Sequence, residues 1–404
     1  MRKMGIREFL FIVPILLLIG IFSLWPVLQS FTYSFFDFQL NDRTKSGLYL
    51  NERFNVDLYN ETSLYIDRFI SQDMETISDE EDKESAQEVI DQLANLNEEF
   101  SNEEGVITIS GEQKEQVESV YKNADETVQN LADEYELQQE ENLPLLVDDI
   151  KNSMIESNFI GLQGYKRALQ DHFVLDALWH TLVFTFASVS LELVLGLGMA
   201  VIMNQGIRGK GFIRTASLIP WAIPTAVAAL MWSYLYDGSA GVVAEIFANI
   251  GILDRPTDLL QTGAGAMTAA ILADVWKTTP YMAILLLAGL QNIPNSLYEA
   301  SSIDGANKVQ DFFKITLPLL KPSILVALLF RTLDAFRVFD LIYVLTGGGP
   351  GGSTETLSVY SYKVMFGQTN FGYGSVVVMI MFICVAIIST IYVKFLGTNI
   401  MDRN

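Results

Sequence analysis

The chain is poor in the residues that carry most enzyme chemistry. Its one cysteine, Cys384, has no partner for an internal disulfide and lies in an apolar run, where a thiol packs as a small hydrophobe. Two histidines with one cysteine make no credible set of metal ligands. No stretch fits G-x-x-x-x-G-K-[ST], the pattern whose backbone amides and lysine cradle nucleotide phosphates. The glycine-rich run 347–352 lacks the Lys-Ser/Thr ending and reads as a permissive turn after a helix. Nucleotide hydrolysis, metal chemistry and any bound cofactor are therefore not expected of this chain, and neither is a nucleic-acid partner.

Charge is also scarce outside one block. Positions 41–160 hold 31 acidic and 8 basic residues, a balance of −23 within a whole-chain charge of −22. One acidic block beside a neutral body predicts a separate aqueous domain rather than a uniformly acidic surface, although salt adaptation of that domain remains an alternative. What the body has in abundance is hydrophobic residues, which make up 50% of all 404 positions. Together with a positive mean hydropathy of +0.28, this is hard to reconcile with a soluble enzyme of this length, so the chain reads as an all-α integral membrane protein.

About 20 apolar residues suffice to cross a bilayer, and six stretches qualify. They run from about Glu8 to Phe36, Leu175 to Asn204, Ile213 to Tyr236, Ala266 to Leu290, Ser323 to Leu345 and Phe371 to Leu396. The first is expected to be a retained anchor, because its apolar core is long for a signal peptide and lacks a small-x-small cleavage site. The third is expected to be broken by Pro220 and Pro224, which kink a helix unless neighbouring groups satisfy the freed carbonyls. Arg2, Lys3 and Arg7 precede the first span, Arg208, Lys210 and Arg214 follow the second, and Lys394 and Arg403 close the sixth. By the positive-inside tendency both termini are cytoplasmic and the acidic block is external. The expected domains are 1–40, the insert 41–160 and a core 161–404. Within the insert, Val89, Leu93, Leu96 and Phe100 recur at helical spacing, as do Val117, Tyr121, Ala124, Val128, Leu131 and Tyr135. An antiparallel helical hairpin is expected, with Ser110 and Gln113 as a capping box and a further short helix from Leu145 to Ile155. The block is either a docking element or a solvated spacer.

Between the fourth and fifth spans lies an amphipathic stretch, 292–322, in which Leu297, Ala300 and Ile303 share a helical face and Gly305 breaks the helix. A second, polar helix is expected to restart at Asn307 and end at Leu317-Pro318. The order Glu299-Ala300-x-x-x-Asp304-Gly305-Ala306, then Phe312, then Ile315-x-Leu317-Pro318-x-Leu320-x-Pro322, resembles the EAA loop of permease subunits of binding-protein-dependent ABC importers. Ser301 stands where that family often has a second alanine. Glu355-Thr-Leu-Ser-Val-Tyr with Phe371-Gly-Tyr-Gly, and the run Asp340-Leu-Ile-Tyr-Val, are similar to the sugar-transporting branch and its maltose-type first permease. The resemblance covers about Phe159 to Phe395 and the first span, and leaves out the insert. It implies the six-helix type I importer permease fold, in the cell membrane. It also implies a second permease, two ATPase subunits that use ATP and Mg, an external solute-binding protein, and a sugar such as maltose or trehalose. Glu299, Ala300, Ser301, Asp304, Gly305, Ala306, Leu317 and Pro318 would then couple this chain to an ATPase.

Charges inside a span cost about 2.5 to 3.5 kcal/mol each on insertion scales, so they face partners or cavities. Arg331, Asp334, Arg337 and Asp340 alternate in sign at three-residue intervals and can meet along one helical face. Mutual neutralisation explains them, and so does a place in a translocation cavity beside Tyr343 and Trp232, where charged groups and aromatic faces suit a sugar. Glu192 has no partner nearby in sequence; it is a further candidate for the substrate pathway and pairs, on this reading, with another helix. Trp276 and Tyr234 read as interface-belt aromatics. Two rivals stay open. An ion-coupled secondary transporter would use the fifth-span charges but has no role for the loop. A membrane-anchored receptor would work through its acidic domain.

Overall fold

The computed structural model describes residues 6–205 and 209–401, with side chains described for 12–205 and 209–395. Arg2, Lys3, Arg208 and Arg403, on which part of the predicted orientation rests, lie outside the described residues, as does the side chain of Arg7. The backbone falls into two units, Phe36–Ile160 and the remainder. The first apolar helix, α1 (Ile12–Tyr33), widens into a π turn over Gly20–Leu24, where the Trp25 amide bonds the Gly20 carbonyl. Pro26 follows directly and has no amide to give, so the extra residue in the turn makes room for its ring.

The Phe36–Ile160 unit is more than the expected hairpin. It holds four helices, α2 (Val56–Asp73), α3 (Glu80–Glu99), α4 (Gly111–Glu134) and α5 (Leu143–Asn152). A small antiparallel sheet joins them, with β1 (Arg53–Asn55) between β2 (Val106–Thr108) and β3 (Met154–Ile155) and Phe54 opposite both Ile107 and Met154. All four helices feed one core, in which Phe54 sits 4.9 Å from Phe100 and 5.2 Å from Tyr59 between ring centroids. The capping box at Ser110 and Gln113 forms, and the apolar seams of α3 and α4 face inward as their spacing requires. The sequence hid α2 because its buried face mixes Tyr59, Ile66 and Ile70 with Thr62, Ser63 and Asp73. Ser63 hydrogen-bonds Asn97 on α3 at 3.1 Å, which lets a polar residue sit inside.

In the other unit, α6 (His172–Asn204), α9 (Gly263–Leu290), α11 (Lys308–Phe336) and α14 (Phe371–Phe395) are, like α1, long and apolar enough to cross a membrane. A sixth crossing is available among the described residues if α7 (Lys210–Ala222) and α8 (Thr225–Leu235), bent by 86°, count as one span. Helix α9 is the buried axis, small residues letting α6 come close. A methyl group added at Gly196 of α6 would lie 2.8 Å from Met282 of α9. The third span is broken beside Pro224, as its prolines imply. Ile223 and Pro224 are both extended, because a proline ring pushes the preceding residue out of the helical region. The fifth span departs further from expectation. The polar helix does not end at Leu317-Pro318 but continues as α11, a π turn over Phe312–Thr316 accommodating Pro318. Helix α11 then stops at Phe336, and α12 (Asp340–Leu345) is a separate short helix, followed by α13 (Leu357–Tyr362). Four glycines between them, Gly347, Gly348, Gly351 and Gly352, have positive φ, as a permissive turn requires.

Candidate functional site

Three helices each contribute one buried charge to a single point. Arg331 of α11, Glu192 of α6 and Asp274 of α9 are all buried. Arg331 Nε lies 2.5 Å from Glu192 Oε2 and Arg331 Nη2 lies 2.8 Å from Glu192 Oε1, a two-pronged pairing that fixes the planar guanidinium. The same Nη2 reaches Asp274, and Nη1 donates to Asp334 at 3.0 Å. Thr278 Oγ1 stands 2.6 Å from Glu192 Oε1. One cation thus faces three carboxylates, and Lys277 follows one turn along α9. Lys277 Nζ donates to the Trp221 and Ile223 carbonyls at 3.1 and 2.9 Å. These are carbonyls that the break between α7 and α8 leaves without helical partners, so the lysine completes the broken helix.

Above the cluster opens a cavity of about 520 Å³. Its walls are the two chain breaks, Trp221 to Thr225 and Arg337 to Leu341, with the charged Asp274, Lys277, Arg331 and Asp334 and the Thr278 hydroxyl as its floor. Irregular backbone at membrane depth is tolerated where it lines such a space, and discontinuous helices are how transporters build substrate sites. The Trp221 ring stacks on Tyr281 at 5.3 Å with 9° between planes.

The predicted charge ladder survives over three residues. Arg331 meets Asp334, and Asp334 lies 3.8 Å from Arg337, but Asp340 begins α12 beyond the break and makes no ion pair among the described residues. The main partners of Arg331 lie on other helices. Glu192 does pair across helices, as its lack of a local partner implied. Tyr343 does not line the cavity but stacks on Phe339, which does, at 5.1 Å. Trp232 is placed elsewhere, packed against Tyr236 and Trp276 at 4.9 and 5.4 Å. That contact also corrects Trp276, which sits mid-helix in a packed aromatic group rather than in a belt. Sequence reasoning missed Asp274 and Lys277. Their signal was available: two charges three residues apart in an otherwise apolar span obey the rule applied to α11.

The loop before α11 is a second candidate surface. Helix α10 (Asn295–Ile303) buries no residue, and Ile303 is 87% exposed. Glu299 and Ala300 are exposed as well. Asp304 caps α10, Gly305 follows with φ 78°, and the Ala306 amide reaches back to the Ser301 carbonyl at 3.0 Å, a Schellman closure. Asn307 caps α11 by bonding the Gln310 amide. Two bonds tie α10 to α11: Ser301 Oγ donates to Asp311 at 2.5 Å, and Tyr298 Oη lies 2.9 Å from Thr316 Oγ1. Leu317 and Pro318 belong to the continuing helix, not to the loop.

Fold and site together define a polytopic helical protein with a charged cavity between broken helices and an uncovered amphipathic loop. The chain belongs to the family described as "Binding-protein-dependent transport system inner membrane component", which matches residues 192–401. Among its relatives is the trehalose/maltose transport system permease protein MalF of Thermococcus litoralis, 46% identical over 59% of this chain and 80% of the relative. The trehalose transport system permease protein SugA of Mycobacterium tuberculosis is 43% identical over 60% of this chain and 76% of its own. A solved bacterial ABC transporter that imports the acidic polysaccharide alginate shares the fold, with a TM-score of 0.53 at 22% identity, over 59% of this chain and 84% of the other.

Proposed function

We propose that this chain is the membrane-spanning permease subunit of an ATP-driven sugar importer, with a disaccharide of the trehalose or maltose kind as cargo. The chain makes and breaks no bond itself. A second permease completes the pathway, two ATPase subunits supply energy by hydrolysing ATP with Mg as its counter-ion, and an external binding protein delivers the sugar. Both termini and the Glu299 loop are cytoplasmic, and the acidic unit is external. The observation that carries the reading is the course of α11. Its first turn is tied to the uncovered loop helix, and about 30 to 35 Å further on, at about 1.5 Å per residue, the same helix presents Arg331 and Asp334 to the cavity. A push on α10 therefore has a stiff element through which to reach the cavity. Sugar hydroxyls suit Asp334, Arg337 and Lys277, and the Trp221 ring suits the apolar face of a pyranose. The names of the relatives point to the same cargo class. Closure of the ATPase dimer moves α10 and shifts the permease pair from inward-facing to outward-facing, to the extent that ATP binds one state better.

The test is uptake of labelled trehalose and maltose by the complete complex in proteoliposomes, with and without internal ATP. ATP-dependent uptake that Glu299→Lys abolishes while the second permease stays bound is the expected result. Uptake driven by an ion gradient without ATP would make the chain a secondary transporter, and binding without uptake a receptor.

A further inference from the structure

Beyond the cavity, five aromatic rings follow one another. Phe339 lines the cavity and lies 5.1 Å from Tyr343 and 4.9 Å from Tyr362; Tyr362 lies 4.9 Å from Phe366, and Phe366 5.5 Å from Phe371. They come from three separate pieces of chain: the break after α11 with α12, the end of α13 with the turn after it, and the start of α14. Three of them stand well out of the core, Tyr343 at 41%, Tyr362 at 36% and Phe366 at 59% exposed. The Tyr343 and Tyr362 hydroxyls make no hydrogen bond among the described residues. A face built to meet acyl chains has no use for unpaired phenols, whereas rings with hydroxyls at their edges match a ligand that is apolar on its faces and polar at its rim.

Pyranose rings are such ligands. We infer that Phe339, Tyr343, Tyr362, Phe366 and Phe371 form an extended stacking track, continuous with the charged cavity, on which successive sugar rings of an oligosaccharide rest. The track rests on the sugar-importer reading above. It lies at the far end of α11 from the Glu299 loop, which on that reading is the side from which sugar arrives. A track longer than one ring predicts a length effect: a trisaccharide touches more of it than a disaccharide.

The experiment uses the complete complex in proteoliposomes and compares Tyr362→Ala, Tyr362→Leu, Tyr343→Ala and Tyr362→Phe, with trehalose, maltose and maltotriose as probes. Removing a ring is expected to cut initial uptake about fivefold, from an aromatic contact of about 1 kcal/mol, with a larger loss for maltotriose. The leucine variant keeps bulk and apolarity without a ring and is expected to fail as alanine does, while phenylalanine keeps at least half of the uptake. Equal uptake by the leucine and parent proteins overturns the track. Loss of the second permease from the purified alanine complex also overturns it, making the face a subunit interface. A parent protein that imports no sugar overturns the underlying reading instead.

Discussion

At the scale of single residues, Arg331 and Asp334 are neighbours with opposite duties. Arg331 is enclosed, and its removal strands Glu192 and Asp274 without a counter-ion, so Arg331→Ala is expected to destabilise the complex by about 3 to 5 kcal/mol. Adding Glu192→Gln to that variant should restore part of the loss, which a thermal-unfolding double-mutant cycle measures; no coupling would mean that the pair is not formed. Lysine at 331 is expected to be a poor substitute because it cannot hold Glu192 with two parallel bonds. Asp334 leaves 58% of its side chain open to the cavity, so Asp334→Asn should change stability by under about 0.5 kcal/mol. It should instead lower sugar uptake. Both stability and uptake unchanged would remove Asp334 from the pathway. The alternating charges on α11 were legible in the sequence, but their partners were not. Spacing along one helix says nothing of which other helix comes close, and Asp274 sits 57 residues from Arg331.

At the scale of elements, local chemistry was readable, the proline break of the third span included, but the stop of α11 was not. Gly305, the Ser110 box and the apolar seams of α3 and α4 depend on residues within a few positions of each other, and each is found where its pattern lies. The stop of α11 at Arg337 has no proline or glycine to announce it, and α2 hides its seam behind Thr62 and Ser63. The link between α10 and α11 gives a reason for serine in place of the family's alanine at 301. Ser301→Ala with Tyr298→Phe removes both tethers, so ATP hydrolysis should persist while sugar moved per ATP falls. An unchanged ratio would show that α10 transmits its motion by another route. In the acidic unit, Tyr59 is buried with its hydroxyl 3.2 Å from the Leu93 carbonyl, and burial raises its pKa above the ordinary 10.0. The unfolded chain ionises first, so this contribution is whole below pH 10 and fades as the pH climbs toward the folded value. Tyr59→Phe should push the alkaline unfolding of this unit to higher pH, followed by near-ultraviolet circular dichroism. No displacement would assign the alkaline transition to other groups.

At the scale of the whole molecule, the question is what the acidic unit does for a permease. Its core answers how to ask. Removing only the stretch from Ser78 to Glu140 takes α3 and α4 out of a core they share with α2, α5 and the sheet, and leaves apolar faces open on what remains. The unit has a natural seam instead. Phe36 and Phe159 pair as an antiparallel bridge, and the Asp37 amide bonds the Asn158 carbonyl at 2.8 Å, so the chain enters and leaves side by side. Replacing everything between Phe36 and Phe159 by a short glycine link should therefore leave the membrane-spanning unit intact and bound to its second permease. If the unit docks the binding protein, its loss should weaken stimulation of ATP hydrolysis by the sugar-loaded binding protein. The intact complex should also lose that stimulation as salt rises, because a unit with 31 acidic residues in positions 41–160 attracts a partner through charges that ions screen beyond about 10 Å at 0.1 M. Two measurements then separate docking from spacing. Full stimulation after excision, with no salt dependence in the parent, would make the unit a solvated spacer; reduced stimulation with salt dependence present only in the parent would place the partner on the acidic surface.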